Sequence, residues 1–353
     1  MQQELHKDAR NVTVSVIIPV WRPDPAAFEK LLSRLMRQTY PPDHIRVVNT
    51  LEEEVSFPVK ALPREGLSTE KLKQLIKENG EGILPSSVQL LEKLELRIPI
   101  LEAAHISKSS FDHAFTRDCE ARKCGTDLLV FMTMDAVPAD RYLLENLCAP
   151  FADDPRMACV YGRQLPLKNA DVLERFTRQF NYPPESRTKT KEDLPELGIK
   201  TFFCSNVCAA YRRDLYLLLG GFEGPAIFNE DMVFAGKALM EGYSVRYEAD
   251  ARVFHSHRYS GAAQFRRNFD IGVSQANCPQ LFDRPEAASE SEGIRMVMSA
   301  AKYLLRGRRP DVLPRLFRIS ACKYAGYFLG RRYRSLPGWL TSWCSSNPEY
   351  FEK

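Results

Sequence analysis

Residues 127–138 read Asp-Leu-Leu-Val-Phe-Met-Thr-Met-Asp-Ala-Val-Pro. The apolar run between Asp127 and Thr133 predicts a buried strand, and Asp135 comes directly after it. A carboxylate just past the carboxyl end of a central parallel strand lies where open α/β sheets bind ligands. Asp is also a common turn residue, so a purely structural role before Pro138 is the alternative. The stretch therefore predicts a central strand and makes Asp135 a candidate ligand-binding residue.

The beginning of the chain predicts a parallel sheet with helices on its faces. Residues 13–20 and 44–49 are short apolar runs that predict strands, and residues 25–38 between them have helical spacing. Further strands are expected at 97–104, 157–161, 201–210 and 243–254, and further helices at 111–124, 141–151 and 230–241. Residues 182–200 are rich in Pro and charge without periodicity, which predicts a mobile surface loop. The predicted fold class is α/β.

The composition excludes several classes of protein. Of the 353 residues 44% are hydrophobic and 27% are charged, and since no run of 18 or more apolar residues appears, we expect no transmembrane helix. Residues 1–10 are polar and lack the apolar core of a secretory signal. The nine cysteines lack the paired spacing of a zinc site, so we expect reduced, buried thiols. Together these features predict a cytoplasmic protein.

The C-terminal region differs from the rest of the chain in charge. Residues 294–353 contain twelve Lys and Arg against three Asp and Glu, although the whole chain has a net charge of +4. We expect a boundary near residues 285–293 and a basic α-helical region at 291–353. Arg and apolar residues are interleaved there, which suits an interfacial helix on an anionic membrane surface, and a helical cap packed on the preceding domain is the alternative. No zinc, helix-turn-helix or RNA-binding signature accompanies the charge, so we expect no nucleic-acid partner.

Two acidic residues and two histidines come later in the chain. Glu230 and Asp231 lie at the start of a predicted helix. One interpretation is that one of them acts as a general base. The alternative is that both carboxylates only interact favourably with the positive end of the helix dipole. His255 and His257 follow the strand predicted at 243–254. Side chains two residues apart in an extended chain point to opposite faces, so we expect one His to bind a metal and the other to contact substrate. A structural His pair is the alternative.

An arginine on the helix before the Asp135 strand is a further candidate. Arg117 lies four residues after His113, and therefore on the same helical face. Because Arg forms paired hydrogen bonds to phosphate, Arg117 is a candidate phosphate ligand at the same edge of the sheet. An ordinary surface arginine is the alternative interpretation.

The order of these features resembles a known family of enzymes. The segments that carry the resemblance are Phe111-Asp-His-Ala-Phe-Thr-Arg117, Phe131-Met-Thr-Met-Asp-Ala-Val-Pro138, Phe228-Asn-Glu-Asp231, and His255-Ser-His-Arg-Tyr-Ser260 followed by Gln264-Phe-Arg-Arg-Asn-Phe-Asp-Ile-Gly272. They look like the GT-A fold of glycosyltransferase family 2, a Rossmann-like, mostly parallel sheet with helices on both faces. More narrowly, they resemble the bacterial rhamnosyltransferase branch of that family. The resemblance implies a catalytic domain at 1–290, with a nucleotide-sugar half at about 12–138 and an acceptor half at 139–290, followed by the basic helical region at 291–353.

A one-step, inverting and metal-dependent sugar transfer is what the resemblance implies. In that mechanism Asp135 holds Mg²⁺ or Mn²⁺ on a nucleotide diphosphate-sugar, with His255 or His257 as a further ligand. Asp231 is the base that deprotonates the acceptor, with Glu230 beside it.

The resemblance also implies a donor site and the two substrates. The residues at the donor would be Pro19, Val20, Trp21, Asn49, Arg117, Met134 and Asp135. The donor would be dTDP-rhamnose, the acceptor a saccharide or lipid-linked saccharide, and the product a surface polysaccharide of the O-antigen or capsule type, made at the inner face of the plasma membrane. The chain departs from the family where Thr133 replaces the first Asp of Asp-x-Asp, and at Asn49, where the family has Asp. These departures favour the alternative of a non-catalytic scaffold that binds nucleotide or polysaccharide, whereas the presence together of Asp135, Glu230, Asp231 and the two histidines favours the enzyme.

Overall fold

A ten-stranded mixed sheet forms the centre of the protein. The computed structural model describes residues 12–52, 62–78, 84–257, 259–287 and 289–352, so the polar residues 1–10 lie outside the described residues. The strands are β1 (Val14–Trp21), β2 (His44–Leu51), β3 (Leu67–Ser68), β4 (Leu101–Ser107), β5 (Leu128–Met132), β6 (Val137–Pro138), β7 (Met157–Leu165), β8 (Arg187–Lys189), β9 (Cys208–Arg212) and β10 (Ser244–Phe254). Their order is β3-β4-β2-β1-β5-β9-β7-β10-β6, and β8 pairs with β10.

Helices cover both faces of this sheet. They are α1 (Pro25–Met36), α2 (Thr69–Glu78), α3 (Ser86–Arg97), α4 (His113–Lys123), α5 (Leu143–Cys148), α6 (Pro150–Asp153), α7 (Val172–Asn181), α8 (Leu194–Leu197), α9 (Arg213–Leu218), α10 (Glu230–Met240), α11 (Gly261–Ala276), α12 (Pro279–Phe282), α13 (Ser289–Arg306), α14 (Leu313–Arg331) and α15 (Gly338–Cys344). Along β5, Leu128 and Val130 pack in one hydrophobic cluster, whereas Leu129 and Phe131 pack in another, because successive side chains of a strand point to opposite faces. The α/β fold class is confirmed, and all nine cysteines are free.

The parallel part of the sheet creates the predicted ligand-binding edge. β1 pairs in parallel with β2 and β5, and β2 pairs in parallel with β4. These four strands therefore end on the same side, where Trp21 lies opposite Thr50 and Asp135 follows β5. Between β1 and β2, α1 begins after Asp24, whose carboxylate accepts a hydrogen bond from the Ala27 N–H (2.8 Å). This arrangement is the β-α-β unit that the start of the chain predicts.

β9 runs antiparallel between β5 and β7, and two predictions near it are wrong. The strand predicted at 201–210 begins only at Cys208, because a 3₁₀ helix occupies Gly198–Thr201 and a turn, in which the N–H of Cys208 donates to the carbonyl oxygen of Ser205 (3.2 Å), directly precedes the strand. The surface loop predicted at 182–200 contains β8 and α8 instead. Lys189 is buried in this segment, and its ammonium group donates hydrogen bonds to the carbonyl oxygens of Lys200 (3.1 Å) and Phe203 (2.5 Å). These bonds hold the segment against the core.

In the basic C-terminal region, α14 packs against α11 with the two backbones close together. A Cβ atom on Gly326 would lie 2.1 Å from the carbonyl oxygen of Phe265, and one on Gly330 would lie 2.1 Å from that of Phe269. Glycine is therefore required at both positions. The contact agrees with the packed-cap alternative, while another face of α14 stays exposed. Within the described residues, no helix has both the length and the apolar character needed to cross a bilayer.

Candidate active site

A cavity of about 510 Å³ opens at the edge of the sheet where β5 and β10 end. Six of the predicted site residues line it, namely Arg117, Asp135, Glu230, Asp231, His255 and His257. Sheet topology explains why they meet. β5 and β7 both run antiparallel to β9, and β10 runs parallel to β7, so β5, β7 and β10 all end on the same side.

Asp135 and the two histidines form a cluster that fits a metal ion. The Nε2 atom of His257 lies 2.9 Å from Oδ2 of Asp135, and Nε2 of His255 lies 3.5 Å from the same oxygen. One ligand atom from each of the three residues lies within 4.8 Å of the others. The expectation that the two histidines point to opposite faces is wrong, because β10 ends at Phe254 and the alternation of an extended strand no longer applies beyond it.

The protonation states of this cluster suit metal binding. Burial disfavours the charge on Asp135, but hydrogen bonds from His255 and His257 outweigh it and hold the pKa of the carboxyl well below its usual range. Burial lowers the pKa of His255, although the Asp135 carboxylate opposes that change. Around neutral pH the cluster therefore offers a carboxylate and a neutral imidazole, the forms that ligate a metal.

A buried glutamine orients His255. Oε1 of Gln164 lies 2.9 Å from Nδ1 of His255, and Arg178 also donates to this oxygen. The amide nitrogen of Gln164 donates to Oη of Tyr182 (2.5 Å) and to Oγ of Ser205 (3.0 Å), which fixes the orientation of the amide. With a cation bound, the His255 Nδ1–H would donate to Gln164 and the Nε2 lone pair would face the ion beside Asp135; without a cation, an Nε2–H donates to Asp135 instead.

The carboxylate pair lies at the start of α10. The backbone N–H of Asn206 donates to Oδ2 of Asp231 (2.8 Å), and its side-chain amide donates to Oε1 of Glu230 (3.0 Å). The N–H of Met232 donates to the other oxygen of Asp231 (2.8 Å). Burial and then the charge of Glu230 raise the pKa of Asp231 to about 7. Asp231 is thus set to exchange a proton near neutral pH.

Arg117 is 5% exposed, which excludes the surface-arginine alternative. Its Nη1 donates to the carbonyl oxygen of His113 (2.8 Å) and lies 3.3 Å from Oε1 of Glu230. Its Nε has no hydrogen-bond partner within the part of the chain that the structure describes. Because an unpaired buried donor costs free energy, the cavity favours a ligand that brings an acceptor to this position.

The remaining predicted donor residues lie outside this cavity. Pro19, Val20 and Trp21 end β1, and Trp21 is 46% exposed there, with its indole N–H donating to Glu52 (3.2 Å). Asn49 is fully buried, and its amide nitrogen contacts Oγ of Ser87 and Nδ1 of His105 (both 3.1 Å). Met134 packs against the hydrophobic core.

Two residues of the site, Gln164 and Asn206, are not predicted from the sequence. Gln164 lies near the end of β7, and Asn206 lies just before the start of the antiparallel strand β9. The start of an antiparallel strand lies at the same edge as the carboxyl ends of its neighbours. A correct boundary for β9 would have placed Asn206 at the site, whereas the prediction put residue 206 inside a strand.

Comparison with known proteins places the chain in a family. It is 41% identical over 234 residues to the O-antigen chain rhamnosyltransferase RfbN of Salmonella typhimurium. The aligned region covers 66% of this chain and 74% of the relative. It is 40% identical over 233 residues to the O-antigen chain rhamnosyltransferase WbaN of Salmonella anatum, with coverage of 66% and 73%. No protein-family model matches.

A solved structure shows the same fold. It is the mannosyltransferase PcManGT from Pyrobaculum calidifontis in complex with GDP-Man and Mn²⁺, which aligns with a TM-score of 0.58 and 16% identity over 92% of this chain and 88% of that one. The fold is therefore GT-A-like, and the chain is a glycosyltransferase that belongs to the family of bacterial rhamnosyltransferases.

Proposed function

We propose that this protein is an inverting, metal-dependent glycosyltransferase that moves L-rhamnose from dTDP-rhamnose to a saccharide acceptor in the synthesis of an O-antigen-type surface polysaccharide. One observation carries the proposal: the Asp135, His255 and His257 cluster shares a cavity with Glu230 and Asp231. The same cavity would then hold both the cation and the proton acceptor that one sugar transfer needs. Both Salmonella relatives are O-antigen chain rhamnosyltransferases, which supports rhamnose as the sugar.

The ligands of the cluster favour Mn²⁺ over Mg²⁺. Mg²⁺ prefers an octahedral shell of oxygen ligands, whereas the cluster supplies one carboxylate and two imidazoles. A divalent cation held there would stabilise the negative charge that develops on the departing diphosphate. The Mn²⁺ bound to the mannosyltransferase of the same fold supports this choice.

Asp231 is the proposed base. Its carboxylate accepts the proton of the acceptor hydroxyl while that oxygen attacks the anomeric carbon of the donor sugar. The bond from that carbon to the diphosphate oxygen breaks with its electron pair, so the diphosphate leaves and the configuration inverts. Hydrogen bonds from the N–H groups of Asn206 and Met232 hold the carboxylate in place during this step.

We also propose that the enzyme works on a lipid-linked acceptor at an anionic membrane surface on the cytoplasmic side. The exposed face of α14 supports this, since Phe317, Tyr324 and Phe328 lie at helical spacing and are 54%, 58% and 40% exposed. Arg318 is exposed beside them, and the guanidinium of Arg332 lies 3.7 Å from the centre of the Phe328 ring. We call these five residues, with Arg332 directly after the last residue of α14, the outer face of α14. Such a mixture of aromatic and basic side chains suits the boundary between lipid headgroups and acyl chains.

A screen of nucleotide sugars tests the function. The purified protein is heated with dTDP-rhamnose, UDP-glucose, GDP-mannose or no donor, each with Mn²⁺ or with a chelator, and donor hydrolysis is followed in parallel. We expect dTDP-rhamnose with Mn²⁺ to raise the melting temperature most and to be slowly hydrolysed. Binding without any hydrolysis or transfer would favour the scaffold alternative.

A further inference from the structure

Most charged side chains of the cavity already have a partner. Arg315 pairs with Asp171 at 2.7 Å. Arg117 and Arg178 are held by acceptors of the site itself. These cations therefore already have acceptors before any substrate enters, although Nε of Arg117 is left without a partner among the described residues.

Two cations on the wall formed by α11 and α14 differ from them. Arg267 on α11 and Lys323 on α14 both line the cavity and are half-buried. Among the residues that the structure describes, neither has a hydrogen-bond acceptor or an ion-pair partner. The Arg267 guanidinium lies instead over the rings of Phe228 (4.3 Å) and Tyr259 (5.6 Å).

These two charges act on each other. Burial and the nearby Arg267 charge lower the pKa of Lys323, so the ammonium group is disfavoured where it stands. Two like charges in a partly desolvated cavity raise the free energy of the protein, and an anion between them would lower it. An arginine stacked on aromatic rings is also held in one orientation, which suits a phosphate oxygen.

We propose that Arg267 and Lys323 form a phosphate-binding subsite in the wall of the cavity that binds a phosphate group of one of the two substrates. This inference rests on the proposed function, because it assumes that phosphate-bearing substrates enter the cavity.

The position of the subsite fits such a substrate. The Tyr259 ring, which lies under Arg267, is 5.2 Å from the ring of His257. The subsite therefore adjoins the metal cluster. The donor supplies a diphosphate, and a lipid-linked acceptor supplies another, so the same chemistry has two sources that an experiment must separate.

Calorimetric titration of Lys323→Gln and Arg267→Gln tests the proposal. One arm measures dTDP against thymidine in the presence of Mn²⁺. The other measures farnesyl diphosphate against farnesol on protein saturated with dTDP and Mn²⁺. Matched controls are Lys302→Gln and Arg266→Gln, which change exposed side chains of the same type on α13 and α11. Lys323→Arg keeps the charge and serves as the rescue variant.

We expect both test variants to bind one of the two diphosphate probes with an affinity lower by about tenfold or more, because a hydrogen bond to a charged group is lost. Thymidine, farnesol and both control variants should bind as before, and Lys323→Arg should restore binding. Loss of dTDP affinity assigns the subsite to the donor, and loss of farnesyl diphosphate affinity assigns it to the acceptor. Wild-type affinity of both variants for both probes would overturn the subsite alone. A wild-type protein that binds neither probe would overturn the proposed function with it.

Discussion

Nε2 of His257 lies 2.9 Å from Oδ2 of Asp135, although β5 positions one residue and β10 the other. The contact exists because both strands end at one edge of the sheet and His257 lies beyond the last residue of β10. A turn with a single carboxylate thus has two imidazole nitrogens from a distant part of the chain close to it. The three side chains that could hold a cation therefore meet because of the order of the strands in the sheet, and not because of the turn alone.

Asp135→Asn should abolish the metal dependence of donor binding. An amide oxygen is a weaker ligand than a carboxylate, so we expect Mn²⁺ to improve dTDP affinity in the wild type by about tenfold or more and to have no effect in the variant. Calorimetric titrations with Mn²⁺ and with a chelator measure this difference. Asp250→Asn, an exposed carboxylate on β10, is the matched control. A variant that keeps the wild-type response to Mn²⁺ would show that the assignment of the metal is wrong.

Gln164→Leu should weaken Mn²⁺ binding by about 10- to 100-fold, because the Nδ1–H of His255 loses the acceptor that orients the ring. Gln164→Glu keeps an acceptor oxygen at that position, so its Mn²⁺ affinity should stay near that of the wild type. Titration of Mn²⁺ into each protein gives the dissociation constants, and thermal melting checks that both variants fold. Equal losses in the two variants would mean that Gln164 does not act by orienting His255.

Asp231→Asn should leave dTDP binding unchanged and lower the rate of transfer by about 10²-fold or more. The base must be ionised, and the pKa of Asp231 is raised to about 7 by burial and by Glu230. The wild-type kcat/KM should therefore fall as the pH drops below 7 and level off above it. Joint loss of dTDP binding and transfer in Asp231→Asn would instead indicate a structural role.

Glu230→Gln should shift the acidic limb of that pH profile to lower pH. Removing the negative charge next to Asp231 stabilises its ionised form, so the pKa of Asp231 falls and the acidic limb of the profile moves to lower pH. The charge of Arg117, which is then no longer paired with Glu230, also lowers the pKa of Asp231. A profile of kcat/KM against pH for both proteins measures the shift, and an unmoved limb would contradict the assignment of Asp231 as the base.

The parts of the site that the sequence predicts are those with local signals. Asp135 follows a run of apolar residues, and Glu230 begins a helix, so each is visible within a short window. The joint use of His255 and His257 is not visible there, because it depends on where β10 ends. Gln164 carries no signal of its own, since its role comes from the neighbours that the sheet places beside it. Tertiary contacts decide those features.

Gly326→Ala should destabilise the protein by about 1–3 kcal/mol, because the added methyl group would lie 2.1 Å from the Phe265 carbonyl oxygen and force α14 away from α11. Gly293→Ala is the matched control in α13, where nothing lies within 4 Å of the added carbon. It should stabilise the protein slightly, since Ala is favoured over Gly in a helix by about 0.5–1 kcal/mol. Thermal melting compares the two. Equal melting temperatures would show that α11 and α14 do not rely on this close approach.

Charge reversal on the outer face of α14 should weaken membrane binding. Each basic group near an anionic surface contributes about 1 kcal/mol, so Arg318→Glu combined with Arg332→Glu should lower the fraction that sediments with phosphatidylglycerol vesicles by tenfold or more. Phosphatidylcholine vesicles, which carry no net charge, should bind little of either protein. Leu218→Ser is the control, because it removes a 71% exposed apolar side chain from α9, outside that face. Its binding should match that of the wild type. If the double variant also matches the wild type, the exposed face of α14 does not meet the membrane, and α14 acts only as a cap packed on α11.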